Sequence, residues 1–275
     1  MLRRSGWIIC LLWLTTTPVA AQQLHLANTE VRALTDGSGL HSVTVQLPAS
    51  YYQSSHFGHR YPVFYLPGGA EDLLLVSAAT HLAMQTGKLP QAILVSFSLA
   101  SNDNQPNEDR QSHVLRHDQL LALLERRVIP FIERSYRADP VRRTFIGRGK
   151  TAHLGAYTLL RTPGLFQAYL LASPDLWYQD GFLLDRVRGW SEQQSDLNAR
   201  VFIGVGSLES PLYQSDEHDR VGDAIAFRTQ LAAWRYPGFD VKLSLFDDTI
   251  HEAAWPVSVI QGLLWLFGAE SQDNQ

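Results

Sequence analysis

The chain has 275 residues, a formal net charge of −4 and a hydrophobic fraction of 45%, which suits one large α/β domain or two small ones with a substantial core. No stripe or run of Lys and Arg fits nucleic acid, and no acidic tail is present. The only cysteine, Cys10, excludes a disulfide framework.

The N-terminus reads as an export signal. Arg3 and Arg4 precede an apolar stretch from Trp7 to Leu14, and Val19-Ala20-Ala21 offers small residues for cleavage before Gln22. The expected organisation is a signal peptide over residues 1–21 and one domain over 22–275, periplasmic or secreted. An uncleaved N-terminal anchor is the other reading. The apolar stretch is too short for a membrane-spanning helix, and no later segment is long and apolar enough, so no stable membrane insertion is expected after cleavage. Cys10 falls inside the signal, so the mature chain carries no thiol.

Glu30–Leu34 and Ser42–Leu47 flank an Asp36-Gly37 turn and predict an antiparallel hairpin. Tyr61–Leu66 predicts a buried strand running into Pro67-Gly68-Gly69, and Ala92–Phe97 predicts a second, after a helix over Val76–Thr86. Residues 101–113 read as a long polar loop. Helical spacing covers His117–Tyr136, with Pro130 expected to kink or divide it. Further strands are expected at Arg143–Ile146, Ala168–Ala172, Val201–Val205 and Val241–Phe246. Helices are expected at Ala152–Leu160, Gly222–Trp234 and Trp255–Phe267. Strand and helix alternate after about residue 60, the mark of parallel β-α-β units.

One junction carries the chemistry. The strand ending at Ile146 meets Gly147-Arg148-Gly149-Lys150-Thr151-Ala152 and then a helix. A strand, a sharp glycine turn and a helix form the setting of a nucleophile elbow, where a strained turn lifts a serine hydroxyl above the sheet.

The sequence resembles the esterase D-like esterase family, which includes the ferric-enterobactin esterases. The resemblance rests on Leu47-Pro48-Ala49-Ser50-Tyr51-Tyr52, Arg60–Leu66, Val128–Glu133 with Tyr136-Arg137, Arg143–Gly147, Tyr157–Leu160, Pro163, Leu165-Phe166 and Ser173–Trp177. It implies an α/β-hydrolase fold: a mostly parallel central sheet, helices on both faces and an antiparallel N-terminal hairpin. The family's elbow reads Gly-His-Ser-x-Gly-Gly. Against it, Gly147 keeps the first glycine, Arg148 replaces histidine, Gly149 replaces the serine nucleophile, and Thr151 and Ala152 replace the two glycines. The resemblance also places the triad's acid at Glu209 and its histidine at His251, and the oxyanion donors on the Gly68-Gly69 loop and at Lys150.

Other readings stand beside these. Glu209 and His251 are also ordinary solvated loop residues by type. Ser173 follows a different strand and reads as a turn residue rather than a substitute nucleophile. Thr151 reads as a helix N-terminal cap. Gly149-Lys150-Thr151 imitates the end of a phosphate-binding loop, but Thr144 stands where that motif needs glycine. Arg148, Lys150 and a helix N-terminus together suit an anion, or both charges face solvent. Trp177, Tyr178 and Trp255 line a pocket or belong to the core. No metal-ligand spacing occurs, no cofactor is implied, and the sequence names no protein partner. Two functions follow. One is a pseudo-hydrolase that binds a small ester, an anion or a protein. The other is an ester hydrolase in which Glu209 and His251 activate water.

Overall fold

The computed structural model describes residues 26–36, 39–98, 110–190, 197–213 and 218–268. The expected signal segment and residues 101–109 of the expected polar loop lie outside them.

Eight strands form one sheet: β1 (Thr29–Asp36), β2 (Gly39–Gln46), β3 (Tyr61–Pro67), β4 (Ile93–Ser98), β5 (Ala138–Arg148), β6 (Ala168–Ala172), β7 (Ala199–Gly206) and β8 (Phe239–Phe246). Their order is β1-β2-β4-β3-β5-β6-β7-β8. The first hairpin is antiparallel, β2 pairs antiparallel with β4, and every later pairing is parallel. This is the α/β-hydrolase arrangement expected from the sequence.

The strands are apolar on both sides, as a sheet covered by helices requires. Along β3 the residues alternate between the two faces. Val63 and Tyr65 join one core cluster, Phe64 and Leu66 the other. The second cluster is completed by α1 (Ala70–Gln85) and α7 (His251–Phe267), through Leu73, Val76, Val259 and Leu263. The first is covered by α2 (Arg110–Leu123), α3 (Ile129–Ser135), α4 (Gly149–Arg161), α5 (Tyr178–Trp190) and α6 (Arg220–Ala232).

Three details differ from the sequence reading. Residues 110–113, expected in the polar loop, already belong to α2. The stretch 117–136 is divided, as Pro130 suggests, but by one π-helical turn over Leu124–Val128. Pro130 has no N–H for the carbonyl of Arg126, and the ladder slips to the wider spacing just before it. Helix α5 is not anticipated at all, since its apolar face is carried by a few residues such as Leu183 and Val187. Among the described residues no helix is long and apolar enough to cross a membrane.

Candidate active site

Strands β3 and β5 to β8 run parallel, so their C-terminal ends lie along one rim of the sheet. Such rims hold the ligand sites of open α/β sheets. Helices α1 and α4 begin there directly after their strands, and their N-terminal N–H groups give it a positive potential.

The turn from β5 into α4 is built by two glycines. A Cβ on Gly147 would lie 2.7 Å from the carbonyl carbon and oxygen of Thr151, so only glycine lets the helix start so close to the strand. Gly149 is the first residue of α4 and has φ +51°, in the left-handed region that costs other residues energy. The Thr151 hydroxyl clasps the turn. It accepts from the Arg148 N–H and donates to the Arg148 carbonyl, both at 2.9 Å.

The turns after β7 and β8 bring together a carboxylate and an imidazole. Glu209 follows β7 and has 0% exposure. Its Oε2 accepts from His251 Nδ1 at 2.7 Å, and its Oε1 accepts from the Ser173 hydroxyl at 2.6 Å and the Gly206 N–H at 2.8 Å. His251 opens α7 and is partly exposed. Its pKa is raised, chiefly by the hydrogen bond to Glu209 and against the effect of burial. The two loops are stitched together: Ser207 N–H donates to Phe246 O at 2.9 Å and Leu208 N–H to Thr249 O at 3.1 Å. Gly206 makes this approach feasible, because a Cβ there would lie 2.1 Å from Thr249 O.

Two further residues enter the site that the sequence does not single out. Asp175, in the loop after β6, is 7% exposed. Its Oδ1 accepts from Arg220 Nε at 3.1 Å, and its N–H donates to the Gly149 carbonyl at 3.2 Å. A Cβ built on Gly149 would lie 3.5 Å from Asp175 Oδ2. A Pro-Asp pair in a loop reads first as turn chemistry, and no spacing ties residue 175 to 149 or 220. The one available signal is a carboxylate just beyond the strand that neighbours the elbow strand.

Ser173 sits in a turn with φ +42° and spends its hydroxyl on Glu209. Gly68 donates its N–H to Phe97 O at 3.0 Å, and its missing side chain makes room for Asp72. Gly69 caps α1 in extended conformation. Arg148, 44% exposed at its side chain, reaches from the elbow to Asp72 of α1, Nε to Oδ1 at 2.9 Å. The Lys150 side chain faces solvent. Trp255 belongs to the core between α7 and the sheet, whereas Trp177 is half-buried and stacks on His218 with ring centroids 3.5 Å apart.

Sheet order and rim together define an α/β hydrolase fold. Residues 40–266 match the family model described as "Putative esterase", and the chain belongs to that family. Three solved structures show the same fold. The BES protein from Bacillus cereus matches with a TM-score of 0.74 and 19% identity, over 92% of this chain and 99% of that one. Siderophore hydrolase EstB from Aspergillus nidulans matches at 0.70 and 16%, over 90% and 98%. An IroE-like serine hydrolase from Shewanella oneidensis matches at 0.69 and 20%, over 87% and 80%.

Proposed function

We propose that this chain is a pseudo-hydrolase of the esterase family, in which Gly149 holds the nucleophile position and the rim binds an ester or similar carbonyl compound without forming an acyl-enzyme. The observation that carries this is the left-handed turn at Gly149, the backbone form an elbow needs, with no side chain to attack from it. Helix N-termini and the Lys150 N–H are backbone features and remain as donors for a carbonyl oxygen. A neutral carbonyl compound is favoured over an anion because Arg148 is already paired with Asp72 and the Asp175 carboxylate faces the turn. Removing a triad serine costs about 10⁶ in turnover in the best-studied case. Purified protein is therefore expected to give no saturable hydrolysis of short p-nitrophenyl esters, while such esters quench the fluorescence of Trp177 on binding. Saturable turnover would refute the reading.

One observation favours a second reading. The Glu209 and His251 pair is complete, with a buried carboxylate and an imidazole of raised pKa. In that arrangement His251 takes a proton from water as the water oxygen attacks the ester carbonyl, then returns it to the departing alkoxide. Turnover that vanishes in His251→Ala would support this route. The export signal and a periplasmic or secreted location are part of the same proposal, and N-terminal sequencing of the mature protein tests them through a start at Gln22.

A further inference from the structure

The space above Gly149 is not simply vacant. The Cβ direction at residue 149 points toward Asp175, whose Oδ2 would be 3.5 Å from that atom. Asp175 is fixed there from two sides: its N–H is bonded to the Gly149 carbonyl, and Oδ1 is held by Arg220 at the start of α6. Both side chains of this ion pair are largely buried, so neither swings freely into solvent. The pair also acts on His251, since Asp175 favours the charged imidazole and Arg220 opposes it.

A hydroxyl at residue 149 would therefore face a carboxylate. Hydrogen bonds to a carboxylate are shorter and about twice as strong as neutral ones, so the hydroxyl would donate to Asp175. A carboxylate is a poor general base at neutral pH, so that bond holds the proton without removing it in the reaction. A fixed negative charge beside the attacked carbonyl also opposes the oxyanion that attack creates.

We infer that Asp175, held by Arg220, is the residue that closes the covalent route at this elbow, so that a serine at 149 regains reactivity only when the Asp175 charge is removed. The inference rests on the pseudo-hydrolase reading, because it takes residue 149 as the nucleophile position. Its test compares the natural protein, Gly149→Ser, Gly149→Ser with Asp175→Ala, and Gly149→Ser with Asp175→Asn. Each is treated with a fluorophosphonate probe, and the labelling rate is read by intact mass. The Asn variant keeps an acceptor for Arg220 and serves if the Ala variant fails to fold, which thermal melting reports.

Gly149→Ser alone is expected to label slowly, and the double variants at least about tenfold faster. Adding His251→Ala is expected to abolish the gain. Double variants that label no faster than Gly149→Ser would overturn the inference, whether all react or none does. Labelling of the natural protein would instead overturn the pseudo-hydrolase reading, so the two failures are told apart.

Discussion

Glu209 shows how one buried charge is kept. Three donors converge on it, from a serine hydroxyl, a backbone N–H and an imidazole, so the carboxylate is fully solvated by protein. Glu209→Ala strips all three at once, and breaking a buried pair of this kind costs about 3–5 kcal/mol. Chemical denaturation is expected to show that loss. His251 gives a pH signature with a fixed sign. Its folded pKa lies above the unfolded value, so its stabilising effect is full below the unfolded pKa and fades as pH rises through the folded one. The melting-temperature gap between the natural protein and His251→Asn is expected to be wider at pH 6 than at pH 9. An unchanged gap would mean that the imidazole gains nothing from Glu209. At Gly149 a side chain must enter the left-handed region, so Gly149→Ser is expected to lose about 1–2 kcal/mol of unfolding free energy.

Among elements, the decisive contacts are between the loops that carry the acid and the base. The turns after β7 and β8 touch through Gly206 and Thr249, and this contact sets the distance from Glu209 to His251. Gly206→Ala would push a methyl group into the Thr249 carbonyl. Overpacking of that kind costs about 1–3 kcal/mol. It is expected to lower the melting temperature and to reduce the His251 pKa measured by NMR, as the hydrogen bond lengthens. At the start of helix α4 the Thr151 hydroxyl clasps the turn through the N–H and carbonyl of Arg148.

For the molecule as a whole, strand and helix order was legible because each core strand is a short apolar run bounded by glycine, proline or polar residues. The N-terminal hairpin announced itself through period-two alternation around Asp36-Gly37. Helix α5 and the π-helical turn before Pro130 were not legible, since weak periodicity and a slipped hydrogen-bond ladder leave little trace in residue type. At the site, the pairing of Glu209 with His251 follows the order of acid and histidine that the family resemblance implies. The Asp175 and Arg220 pair was not legible, because it joins the loop after β6 to the first residue of α6, 45 residues away in sequence.

On the reading proposed above, residue 149 occupies the position from which this fold attacks, and no side chain there does so. Intact mass spectrometry of the natural protein after prolonged exposure to a fluorophosphonate probe tests it most directly. An unmodified mass is expected under conditions that fully label an active serine esterase. A stoichiometric adduct, mapped to Ser173, Thr151 or any other hydroxyl at the rim, would contradict it.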